Sequence, residues 1–144
     1  MYHLNFDQYP TVNNLHGTIP EELTKIQSLR VIYLSRNNLT GTIPSAFGDM
    51  PHLNYLGLQR NKLTGTVPTE LGKLSSLSYL GLEKNDLTGS IDLSHPLCKL
   101  RSVDTDGNPT KATSLLVFTT DCRGIEGMKP PEIECQCCTE CFRY

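Results

Sequence analysis

Six cysteines are the residues of this chain best equipped for chemistry: Cys98, Cys122, Cys135, Cys137, Cys138 and Cys141. Five of them fall after position 121. The cluster C-x-C-C-x-x-C at 135–141 admits two chemistries. Disulfides could staple it, and six cysteines allow fifteen complete pairings. Zinc would need four thiolates in a tetrahedron. Known zinc motifs use two separated pairs, whereas these four thiols fall within seven residues, with no histidine among them. Disulfides fit better. Each bridge would contribute about 2–4 kcal/mol, and the chain would belong in an oxidising compartment. Which cysteines pair stays open.

Other chemistry finds little support. There is no G-x-S-x-G, P-loop or H-E-x-x-H, and His3, His16, His52 and His95 lie scattered. Glu132 and Glu134 flank Ile133 without acid–base geometry. We therefore expect no enzyme, no metal and no cofactor. Thirteen basic against fifteen acidic residues leave a net charge of −2, which argues against a nucleic-acid partner. The longest wholly apolar run, Leu115 to Phe118, falls far short of the ~20 residues of a membrane span. The N-terminus has neither the basic nor the apolar region of a secretory signal. Set beside the disulfides, this leads us to expect a fragment of a longer secreted or surface chain. The sequon Asn38-Leu39-Thr40 offers a glycosylation site at Asn38.

What positions the remaining polar residues is a repeat. LRVIYLSRNNLTGTIP starts at Leu29, LNYLGLQRNKLTGTVP at Leu53 and LSYLGLEKNDLTGSID at Leu77, 24 residues apart. A partial copy, NNLHGTIPEEL, starts at Asn13, and a degenerate one, LRSVDTDGN, starts at Leu100. Leu56/Leu58 and Leu80/Leu82 have the i, i+2 spacing of one strand face. One strand per repeat cannot bury that face alone. Stacking the strands about 4.8 Å apart builds a parallel sheet over a continuous core. Asn37, Asn61, Asn85 and Asn108 recur where each strand must turn, and we expect a buried ladder of them. Pro20, Pro44 and Pro68 follow as expected helix-resistant positions.

Stacking turns each outward position into a column. The first column is Val31, Tyr55, Tyr79 and Ser102; the second is Tyr33, Gly57, Gly81 and Asp104. The third is Ser35, Gln59, Glu83 and Asp106; the fourth is Arg36, Arg60, Lys84 and Gly107. Tyr33, Tyr55 and Tyr79 make an aromatic strip beside glycines that leave space, which suits recognition. Arg36, Arg60 and Lys84 make a basic row that repels itself unless partnered. An acidic peptide, a carboxylate-rich polysaccharide or a sulfated glycan could supply the partner. The candidate binding residues are thus Tyr33, Ser35, Arg36, Tyr55, Gln59, Arg60, Tyr79, Glu83 and Lys84. Replacing Tyr55 and Arg60 together should abolish binding and leave unfolding nearly unchanged.

LTGTIP, LTGTVP and LTGSI within 24-residue units resemble the plant-type leucine-rich repeat over about residues 13–108. The resemblance implies an α/β solenoid, a right-handed superhelix with a parallel sheet on its concave face. It implies the setting of receptor-kinase ectodomains and polygalacturonase-inhibitor proteins. The tail, SLLVFTTDCRGIEGMKPPEIECQCCTECF, is similar to the cysteine-rich end of surface leucine-rich-repeat proteins of diatom-like algae. Asp92 and Thr105 break the repeat pattern as a cap approaches. We expect a partial repeat at 1–28, three repeats over 29–99, a degenerate one at 100–119 and a cysteine-rich cap at 120–144. The expected function is non-catalytic extracellular binding of a protein, peptide or glycan by a monomer. An alternative is a secreted inhibitor of a wall-degrading enzyme. Ice binding and a purely adhesive role come last. An ice-binding face wants ranks of Thr or Asn, and the columns above carry Arg, Glu and Lys.

Overall fold

A computed structural model describes residues 14–91, 96–99, 117–121, 134–135 and 140–142, with side chains at 14–89, 96 and 97. Each repeat turns through three short segments. A strand of the main sheet comes first: β2 (Val31–Tyr33), β4 (Tyr55–Gly57) and β6 (Tyr79–Gly81). After a turn comes a strand of a second, interrupted sheet made of two-stranded parallel pairs: β1 (His16–Thr18) with β3 (Asn38–Thr40), and β5 (Thr64–Gly65) with β7 (Asp86–Leu87). The crossovers are 3-10 helices, Glu21–Lys25, Ser45–Asp49 and Thr69–Lys73. Toward the C-terminus lie β8 (Ser90–Ile91), α1 (Pro96–Lys99), β9 (Val117–Asp121), β10 (Glu134–Cys135) and β11 (Glu140–Phe142).

The main sheet has five parallel strands in the order β11-β9-β6-β4-β2. Its register aligns Ile32, Leu56 and Leu80 in one inward rank. Leu56, Leu58, Leu80 and Leu82 are fully buried, as their alternation requires. They pack with Leu63, Leu87, Phe47, Met50, Leu71 and Leu74, so one core runs between both sheets and the crossovers. The prolines play another part than expected. Their carbonyls accept the first helical bonds, from Leu23, Phe47 and Leu71, each at 3.2 Å. A residue preset near φ −65° starts a 3-10 turn rather than preventing one. The crossovers pack so closely that a Cβ on Gly48 would run into the Glu70 carbonyl.

The asparagine ladder forms at its described rungs. Asn61 Oδ1 accepts from the Leu39 amide at 3.1 Å, while its Nδ2 donates to the Leu34 and Leu58 carbonyls at 2.8 and 2.9 Å. Asn85 repeats this with Leu63, Leu58 and Leu82. Asn37 accepts from Leu15 and donates to Leu34 and Ser35. Each amide thereby satisfies backbone groups that the turn leaves without sheet partners. Asn108 lies outside the described residues.

One expectation fails at the C-terminal side. The strand paired with β6 is β9, with Tyr79 opposite Val117 and Gly81 opposite Thr119. The place beside β6 that the copy at Leu100 was expected to fill is thus taken by β9, whose register sets Phe118 opposite Leu80. Ser102, Asp104, Asp106 and Gly107 lie outside the described residues. Downstream, β11 pairs with β9 at the edge of the main sheet, and β10 pairs with β8 in a separate two-stranded sheet. Cys98, Cys135 and Cys141 sit in α1, β10 and β11, and Cys122, Cys137 and Cys138 lie outside the described residues.

Candidate functional site

The open face of the main sheet gathers the expected polar columns. Val31, Tyr55 and Tyr79 stand in register, and so do Tyr33, Gly57 and Gly81. The three tyrosines come from two columns, yet their rings form one stack. Tyr33 and Tyr55 lie 4.3 Å apart at 37°, and Tyr55 and Tyr79 lie 4.2 Å apart at 5°. The glycines explain how. A Cβ on Gly57 would lie 2.9 Å from Tyr55 Cε1, and one on Gly81 would lie 2.9 Å from Tyr79 Cε1. Each ring is folded down its own strand onto the glycine two residues on, which brings the Tyr55 ring beside Tyr33 and the Tyr79 ring beside Tyr55. The space expected beside the glycines is thus filled by the rings themselves.

Burial differs along the stack. Tyr33 is 46% exposed and Tyr55 only 8%. Burial first, then the neighbouring Tyr79 and Tyr33 hydroxyls, push the Tyr55 hydroxyl well above the usual tyrosine range. Tyr55 is therefore a supporting ring, and the double replacement expected to spare stability should use Tyr33 in its place.

The third column is less exposed than a solvated face would be. Ser35 and Glu83 are buried, at 6% and 7%. Between them, Gln59 donates weakly from Nε2 to the Tyr79 hydroxyl at 3.4 Å. Its Oε1 is buried and has no hydrogen-bond partner. The fourth column borders this floor. Arg36, Arg60 and Lys84 all have positive φ, at 57°, 60° and 58°. The left-handed region costs a side chain about 1–2 kcal/mol relative to the right-handed one, and ladder bonds hold it there: Arg36 N donates to Gln59 O and Arg60 N to Glu83 O, at 2.9 and 2.8 Å. The basic row lies where the chain leaves the main sheet and turns into the asparagine ladder.

The second sheet carries residues that sequence reasoning passed over. Thr40, Thr64 and Thr88 form one exposed rank, and Thr18, Thr42 and Thr66 another. The hydroxyls of Thr40 and Thr64 donate to the Gly17 and Gly41 carbonyls of the preceding repeat. The Cγ2 methyls of Thr18, Thr42 and Thr66 pack over Gly41, Gly65 and Gly89. The T-G-T spacing in the repeat was the available signal. Asn38 is exposed on this sheet too, with its Nδ2 donating to Asn14 Oδ1 at 3.1 Å. Among the described residues no helix is long and apolar enough to cross a membrane.

The comparisons agree with this geometry. The leucine rich repeat family model matches residues 27–87. No curated protein sequence matches the chain. Among solved structures, the chain is similar to the plant peptide hormone receptor RGFR1, solved in complex with RGF2, at 41% identity and a TM-score of 0.58, over 62% of this chain and 14% of that one. It is similar to the Arabidopsis receptor kinase HAESA, solved with the peptide hormone IDA and the co-receptor SERK1, at 39% identity and a TM-score of 0.57, over 60% of this chain and 15% of that one. It is also similar to a plant ice-binding protein at 27% identity and a TM-score of 0.59, over 85% of this chain and 32% of that one. The chain thus spans about a third or less of these proteins. With its 24-residue turns, asparagine ladder and parallel strands, the chain carries leucine-rich repeats of the plant type.

Proposed function

We propose that this chain is a non-catalytic, extracellular recognition module that binds a protein or peptide on the open face of its main sheet. One observation carries the reading: the Tyr33, Tyr55 and Tyr79 rings stack in a row across that face, the Tyr55 and Tyr79 rings folded onto Gly57 and Gly81. A rigid aromatic surface gives large contact area at low entropic cost. The receptors RGFR1 and HAESA were solved with peptide hormones, which favours a peptide over a glycan. The test is a panel of secreted plant peptides and wall glycans, with pectinase inhibition measured alongside. A Tyr33→Ala, Arg60→Gly double variant should lose binding while unfolding at nearly the same temperature, since glycine accepts the φ of 60° at position 60. Unchanged binding would sink the reading. Pectinase inhibition that survives the double variant would move the activity to another face. The disulfide cap belongs to the same extracellular reading, and intact mass after thiol alkylation, with and without reductant, tests it.

A second reading rests on the second sheet. Its threonine ranks supply the regular array missing from the charged columns, and the similar plant ice-binding protein points the same way. Faceted ice crystals grown with the protein, and round ones with Thr64→Lys, would support it. Normal ice morphology with the unaltered protein would remove it.

A further inference from the structure

Gln59 holds the one buried side-chain polar atom without a partner among the described residues, its Oε1. Buried acceptors are normally satisfied, so this one is a cost carried by the fold. Its position explains why no neighbour relieves it. A Cβ on Gly81 would lie 2.7 Å from Oε1, and a Cβ on Gly57 would lie 3.2 Å away. The two positions facing the atom are therefore glycines, which have no side chain to donate. The nearby tyrosine hydroxyl of Tyr79 is engaged by the Gln59 amide nitrogen, not by its oxygen.

We infer that Gln59 is the specificity-determining acceptor of the site, taking a hydrogen bond from an amide N–H of a peptide laid along the tyrosine stack. The inference rests on the peptide-binding reading above and names the chemistry of its central contact. The terminal torsion of glutamine is soft. Turning the amide off the glycine floor exchanges an unmet acceptor for a ligand bond. The contact requires a donor. A ligand carboxylate placed here would face Oε1 and the buried Glu83 in the neighbouring turn. The basic row sits at the border of the floor, so acidic groups of the same peptide belong there and a neutral amide belongs at the centre.

The probe is a peptide selected on the intact chain from a phage-displayed random library, and required to lose binding with Tyr33→Ala. Each of its amides is methylated in turn, and every analogue is measured against the unaltered protein and Gln59→Leu. One N-methylation should weaken binding about tenfold in the unaltered protein and have no effect in Gln59→Leu. Leucine keeps the bulk and removes both polar atoms, so Gln59→Leu should unfold no lower than the unaltered protein. N-methyl effects that are the same in both proteins overturn the Gln59 inference and leave the peptide reading standing. So does a marked drop in the unfolding temperature of Gln59→Leu, because it would show the amide to be satisfied in the free protein. A selection that yields no peptide sensitive to Tyr33→Ala overturns the peptide reading, and the Gln59 inference with it.

Discussion

The two sheets of the solenoid are built by the same 24-residue turn, yet they present different surfaces. On the second sheet two outward positions are threonine in three turns, at 40, 64 and 88 and at 18, 42 and 66, beside a varied position filled by Asn38, Lys62 and Asp86. On the main sheet no column repeats one residue throughout: valine gives way to tyrosine, tyrosine to glycine, and serine to glutamine and glutamate. These threonines serve their neighbours. The hydroxyls of Thr40 and Thr64 and the methyls of Thr18, Thr42 and Thr66 meet a glycine of an adjacent turn. The varied columns also touch across turns, through the tyrosine stack and the Gln59–Tyr79 bond, but they leave one buried acceptor without a partner. The repeated threonines support the stacking of turns, and the proposed ligand contacts lie in the varied columns.

The largest effect should come from the element between the sheets. Asn61 satisfies an amide of β3 and two carbonyls beside the main sheet. Asn61→Leu strands three backbone groups, at about 1 kcal/mol or more each. Urea unfolding should show a loss of roughly 3 kcal/mol or more. A loss below 1 kcal/mol would mean that the ladder does not couple the sheets.

Next comes a glycine of the second sheet. Gly65 has φ +78°, and an added Cβ would lie 3.0 Å from Thr42 Cγ2. Gly65→Ala should cost about 1–2 kcal/mol, mostly from the left-handed backbone. Ligand binding by the folded variant should not change, because the residue lies on the other sheet. Lost affinity at temperatures where Gly65→Ala is folded would break the division between the two surfaces.

Alkaline pH separates the sheets by another route. The Tyr55 hydroxyl titrates above its ordinary value of 10.0 because it is buried. Below that pH the tyrosine is protonated in folded and unfolded chains alike, and its contribution to stability is complete. As pH rises past 10, the unfolded chain releases this proton and the folded chain does not, so stability falls. The loss should approach about 1 kcal/mol per pH unit. In Tyr55→Phe, which keeps the ring, that part of the slope should vanish. Equal slopes for the two proteins would show Tyr55 to be solvated.

Much of this arrangement was legible in the sequence. Leu56, Leu58, Leu80 and Leu82 alternate at period two, and Asn37, Asn61 and Asn85 recur at each turn, so strand register and ladder follow from spacing alone. The site residues were legible as columns because register makes columns. The geometry within columns was not. Nothing in the spacing says that the Tyr55 ring folds along its strand onto Gly57, since that depends on side-chain torsions. β9 was missed for a related reason. LRSVDTDGN matches the repeat in letters, and the letters alone do not say that Val117–Asp121 takes the place beside β6. The threonine ranks were in plain view and were passed over because only the columns beside the leucines were projected outward.

The smallest expected effect on stability is the most informative about the varied surface. No left-handed backbone is involved at Gly57, so Gly57→Ala meets only the side chains of Tyr55 and Gln59, at 2.9 and 3.2 Å. Two terms of similar size then oppose each other. Alanine in a strand gains about 0.5–1 kcal/mol over glycine by losing less backbone entropy. Lifting the Tyr55 ring loses about 0.5–1.5 kcal/mol of stacking against Tyr33 and Tyr79. The net change should lie within about 0.5 kcal/mol. Binding to the open face should nevertheless weaken, and the near-ultraviolet circular dichroism of the tyrosines should change, because the tyrosine stack is disturbed. Gly65→Ala should do the reverse, lowering stability while leaving the tyrosine signal intact. If Gly57→Ala kept both the tyrosine signal and the affinity, the ring would not need its glycine, and the packing of the stack would not be what the ligand reads.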